Sequence, residues 1–204
     1  MSKIEKMNLQ IKNAKIKSQK ISKIFHYFSE DYTAIQTASV IGCSRQTINH
    51  YYKIFRNKIL EKNSFEELRQ NRFLKKQELL KIKHLNIYKH DVFYINTIYG
   101  ICILNHQNAL PSKLIEFIHK DLKDTLSKHK KANSARVLYN KQNNSYITSG
   151  FFRSDKLFEE FLHNRLKKFR GINKNNFHSH LSESVFRYNN QNRNLYEKTL
   201  ETLI

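Results

Sequence analysis

Arg45, Gln46, Asn49 and Lys53 fall within nine consecutive positions, and each carries a group that hydrogen-bonds base edges or phosphates. Guanidinium and ammonium groups reach guanine and phosphate oxygens, while the side-chain amides match adenine. On a helix these positions form the start and outward side of one face, where a DNA-reading helix makes its contacts.

The flanking residues supply the frame such a face needs. Residues 33–41 read as a short helix, opened by Thr33 with Gln36 at capping-box spacing. Gly42 ends it, because glycine takes the left-handed conformation of a tight turn, and Ser44 caps a second helix from Arg45 to about Leu60. Ala38 is small where two helices approach; Ile41, Ile48 and Tyr51 are apolar at the spacing of crossed helices. Upstream, Ile21, Ile24, Phe25 and Phe28 form the stripe of a third helix. The pattern predicts a helix-turn-helix unit over residues 1–62 with a basic N-terminal arm in residues 1–18. A helical hairpin with a solvated polar face is the plainer alternative.

A formal net charge of +20 over 204 residues favours a polyanionic partner, with nucleic acid first among them. Lys, Asn, Ile, Phe and Tyr are all heavily used, as in AT-rich genomes, so part of the lysine excess is compositional. Cys43 and Cys102 are the two cysteines and form no C-x-x-C pair, which excludes a disulfide framework or zinc ribbon and fits a reducing cytoplasm. No apolar run of membrane-spanning length and no signal-peptide segment is present, so a soluble chain without a membrane partner is expected. No glycine-rich phosphate loop, nucleophile elbow or His-Glu-x-x-His pattern occurs. His178 and His180 stand two apart, which on a helix points their rings to different faces.

Ser64 with Glu67 repeats the capping-box spacing and predicts a helical connector over residues 63–86. Residues 87–104 are rich in β-branched and aromatic side chains and read as one or two strands; residues 136–139 read as a third, followed by a loop over 140–148. Ser112 opens a helix through about Lys128 after Pro111, and Ser154 opens another that ends at Gly171. Arg165, Lys168 and Arg170 crowd its last turns around Phe169, as a DNA-backbone contact or as a solvated charged face. Two further helices follow, the first ending near Tyr188.

The block from Asp155 to Leu200, DKLFEEFLHNRLKKFRGINKNNFHSHLSESVFRYNNQNRNLYEKTL, resembles the C-terminal end of bacterial insertion-sequence transposases of the ISXO-like branch of the DDE superfamily. RLKKFRGI, then FHSHLSES, then FRYN before NLYEKTL carry the resemblance over about 45 residues. It implies an α+β chain: a helix-turn-helix, then a helix-rich RNase-H-like α/β domain with a small sheet over residues 87–204. It also implies binding to double-stranded DNA at the ends of a mobile element, a bacterial cytoplasmic location and a homo-oligomer.

In that family two aspartates on neighbouring strands and a third carboxylate or asparagine on a later helix hold two divalent metals for strand cleavage and transfer. The resemblance therefore implies Asp91, Asn140 and Glu159 as catalytic residues and Asp91 with Glu159 as ligands of Mg²⁺ or Mn²⁺. The set departs from the family pattern: Asn140 stands where the second aspartate should follow, and Lys156 stands where the glutamate usually does. With the triad incomplete, the alternatives are a non-catalytic helix-turn-helix regulator and a basic protein that binds nucleic acid through charge alone.

Overall fold

The computed structural model describes residues 16–72, 77–97, 100–104, 112–129, 131–140, 142–143, 145–169 and 172–203, without the side chains of 64–78, 112 and 203. Most of the expected basic arm and the loop at Pro111 lie outside them. The protein is α+β, with helices and a five-stranded antiparallel sheet. It divides into two units, residues 1–63 with 164–204 and residues 64–163, so residues 164–204 join the N-terminal helices rather than the sheet.

The first unit begins with α1 (Ser18–Ser29), α2 (Ala34–Ile41) and α3 (Arg45–Arg72). Thr33 opens α2 through the expected capping box: its side chain accepts from the Gln36 amide while the Gln36 side chain accepts from Thr33. Gly42 closes α2 in the left-handed region at φ 67, and Ser44 Oγ accepts from the Thr47 amide at the start of α3. Ile21, Ile24, Phe25 and Phe28 of α1 pack with Ile48, Tyr51, Tyr52, Phe55 and Ile59 of α3. Phe186 and Leu200, from α7 (Lys174–Asn189) and α8 (Leu195–Leu203), complete this core. Inside it, the Thr37 and Tyr52 hydroxyls share a hydrogen bond of 2.7 Å, and burial pushes the Tyr52 phenol up to about 12.

The second unit holds β1 (Gln77–Ile87), β2 (His90–Thr97), β3 (Gly100–Ile103), β4 (Ser134–Asn140) and β5 (Ser145–Phe152), in the order β3-β2-β1-β4-β5. One face is covered by α4 (Ser112–Phe117), which passes through a π turn at Ile118–Leu122 into α5 (Lys123–Lys128). Leu114, Ile118, Leu122 and Leu126 of that segment pack on Leu80, Ile82, Phe93, Ala135 and Val137. Helix α6 (Leu157–Leu166) meets the other face, where Phe158 lies edge-on to Tyr94 at 5.1 Å.

Two expected segments take other forms. The connector helix expected over 63–86 is absent as such: α3 runs unbroken through Asn63 and Ser64 to Arg72, and strand β1 begins at Gln77. In β1, Leu80 and Ile82 are buried between exposed Leu79 and Lys81, the period-2 alternation of a strand, which its lysines disguised. The loop expected over 140–148 is instead the hairpin joining β4 to β5, turned by Asn140 as its side chain accepts from the amides of Gln142 and Asn143.

Candidate nucleic-acid interface

Arg45, Gln46, Asn49 and Lys53 are all exposed on α3, in the turns that follow Gly42. Arg45, Asn49 and Lys53 recur every four residues and so share one stripe of the helix. The opposite side of these turns is fixed in the core by Ile48, Tyr51 and Tyr52. A rigid, half-buried helix thus presents two cations and two amides to solvent.

The stripe lines a groove of about 480 Å³ whose other side is made by Lys168, Phe169 and the first turns of α7, including Asn173, Asn176 and Ser179. Arg56 and His180 also line it. Among the described residues no carboxylate does.

Beneath the groove, α7 is joined to the N-terminal helices by a buried ionic cluster. Glu183 accepts from Arg56 at 2.7 Å, from Arg165 at 2.6 Å and from Arg187 at 2.9 Å. Arg165 also donates to Asp31 at 2.9 Å and to Ser184 at 2.8 Å. Arg187 donates to the carbonyl oxygens of Phe28 and Ser29 at the end of α1, the first of which also accepts from the Asp31 amide. Asp31, in the α1–α2 turn at φ 61, also pairs with Lys168 at 2.8 Å; aspartate tolerates this left-handed conformation better than most residues. Burial would push the Glu183 carboxyl up, but Arg165, Arg56 and Arg187 hold it well below the usual carboxylate range.

This cluster corrects the second set of expected DNA contacts. Arg165 is 4% exposed and its guanidinium is tied to Glu183, Asp31 and Ser184, so it cannot meet a phosphate without dismantling the core. Lys168 is half-exposed beside the groove but shares its charge with Asp31. Arg170 lies outside the described residues. Asp31, Arg56, Glu183 and Arg187 were not singled out from the sequence. The i, i+4 spacing of Glu183 and Arg187 was visible there, but their burial was not.

The residues implied as a metal centre are held apart. Opposite β1, Asp91 pairs with Asn86 and Asn140 with Gln77. Nine strand positions separate those partners, roughly 30 Å at about 3.3 Å per residue. Adjacent side chains of a strand point to opposite faces: His84 reaches Asp91 at 3.0 Å on one face, while Lys83 reaches Asp155, just before α6, at 2.7 Å on the other. Glu159, in the first turn of α6, therefore begins on the face away from Asp91. Mg²⁺ needs its ligands within about 2.1 Å, so Asp91, Asn140 and Glu159 do not compose one site.

Asp91 has a different role. Its carboxylate accepts from Lys123 at 2.7 Å, Asn86 at 2.9 Å and His84 at 3.0 Å. Burial opposes ionisation, yet the hydrogen bonds from Lys123, Asn86 and His84 bring it down to about 2. It ties α5 to the β1–β2 hairpin.

No protein-family model, curated protein or solved structure matches the chain. Among the described residues no helix is long and apolar enough to cross a membrane.

Proposed function

We propose that the chain is a sequence-reading DNA-binding protein whose helix-turn-helix is formed by α2 and α3, with α3 as the recognition helix. The observation that carries this reading is the exposed quartet Arg45, Gln46, Asn49 and Lys53, on a helix anchored from behind and entered through the left-handed turn at Gly42. The net charge of +20 supports it with a sequence-independent attraction to the DNA backbone.

Resemblance to ISXO-like transposases gives the reading its lineage, but its motif residues serve the fold here: Arg165 of RLKKFRGI, Glu183 of FHSHLSES and Arg187 of FRYN build the buried cluster. The RNase-H-like assignment has no such support, since the sheet is antiparallel throughout and residues 164–204 belong to the other unit. A regulator or element-end binder without strand transfer is therefore the favoured form. Strand transfer with Mg²⁺ or Mn²⁺ would need ligands other than Asp91, Asn140 and Glu159.

The test is selection of duplexes from a random pool by the full chain, followed by Arg45→Ala. On the selected duplex the variant should lose about 1–3 kcal/mol of binding, and much less on a scrambled one. Equal affinity of the unaltered chain for every duplex would replace sequence reading with binding by charge alone.

A further inference from the structure

A recognition helix about 10–12 Å across fills a major groove about 12 Å wide, so the two phosphate backbones run close along its sides. Surface that stands beside the exposed stripe of α3 must then meet a backbone. Here that surface is the first turns of α7, across the groove from Arg45, Asn49 and Lys53. The groove offers the side-chain amide of Asn176 and cations from Arg45 and Lys53; Lys168 beside them is paired with Asp31, the Ser179 hydroxyl donates to the Asn176 carbonyl, and among the described residues no carboxylate lines the groove. Arg45 and Lys53 have no ion-pair partner among the described residues. His180, 9% exposed, also lines the groove, and its Nδ1 has no hydrogen-bond partner among the described residues.

We infer that α7 forms a second wall of the DNA-binding surface, and that one backbone of the bound duplex lies in the groove between α3 and α7, beside Asn176 and Ser179. This inference rests on the proposed reading of α3 and extends it to a part of the chain more than a hundred residues away in sequence. It assigns the C-terminal helices a share in binding, of phosphate type and indifferent to base sequence.

Asn176 gives a clean test. It is exposed in the first turn of α7, where an acidic side chain suits the helix dipole, so Asn176→Asp should fold at least as well as the unaltered chain. Binding of the full chain to a labelled selected duplex and to a scrambled one is measured by anisotropy across a salt series. Asn176→Asp should weaken both by a similar factor, on the order of five- to tenfold at ~0.1 M salt, and Asn176→Lys should tighten both and steepen the log–log salt slope by about 1. Affinities unmoved by either change, while Arg45→Ala still loses the selected duplex, would overturn the α7 wall and leave the α3 reading intact. If Arg45→Ala is silent too, both fall.

Discussion

Arg165 donates to Glu183 across 2.6 Å with both side chains almost wholly buried. The bond joins the end of α6 to the middle of α7, and the same guanidinium reaches Asp31 near the start of the chain. Three guanidiniums share one carboxylate, so removing that charge takes the ion pair from Arg56 and leaves Asp31 to balance Arg165 and Arg187 in a medium that solvates them poorly. Glu183→Gln should cost about 3–5 kcal/mol in urea unfolding, whereas Glu159→Gln, on the more exposed α6 surface, should stay within about 0.5 kcal/mol. Equal small losses would show that the cluster contributes little to stability.

Acid should loosen the same unit in two stages. Burial, aided by the positive charge of Arg56, lowers His180 to about 4 from an ordinary value of 6.5. Between those values the unfolded chain binds the extra proton, so stability falls as pH drops through this window, by about 3 kcal/mol in all. The depressed Glu183 carboxyl adds a loss of the same sign that starts only below its ordinary 4.5. In His180→Gln, urea midpoints should hold nearly level from pH 6.5 to 5 while the loss below 4.5 remains. An unchanged slope above pH 5 would remove His180 as its source.

The N-terminal helices should not stand alone. Phe186 and Leu200 pack into the core of α1 and α3, and Arg187 donates to the carbonyls at the end of α1. A fragment of residues 1–63 should therefore show poorly dispersed amide resonances and no preference for the selected duplex. A cooperative fold in the fragment would mean that α7 and α8 only cover a core already complete.

Asp91 should act on stability and not on metal. Asp91→Ala removes the acceptor shared by Lys123, Asn86 and His84, and because only His84 of these is largely buried a loss of about 1 kcal/mol is expected. Calorimetric titration with Mn²⁺ should give the same isotherm for the unaltered chain, Asp91→Ala and Glu159→Ala. Loss of a binding event in both variants would restore the shared metal site that the sheet geometry argues against.

The buried hydroxyl pair gives a last check. Thr37→Val keeps the shape of the side chain but leaves the Tyr52 hydroxyl without its 2.7 Å partner, at a cost of about 1–3 kcal/mol. Adding Tyr52→Phe should recover most of that loss in thermal unfolding.

Local chemistry by itself determined where α2 ends and α3 begins. The capping box at Thr33, the left-handed Gly42 and the Ser44 cap are set by residues within a few positions of one another, and each was legible in the sequence. The hairpin between β1 and β2 was not, because its two-residue turn uses Tyr88 and Lys89 at φ 49 and 64 where Asn-Gly would have announced it. Tertiary structure alone decided which charges face water. Arg165 and Arg45 are the same residue type on basic helices; one is buried because Glu183 and Asp31, 18 and 134 positions away, converge on it, while the other remains in solvent. The separation of Asp91, Asn140 and Glu159 was equally hidden, since strand register and sheet face depend on pairings between distant segments, which no local spacing encodes.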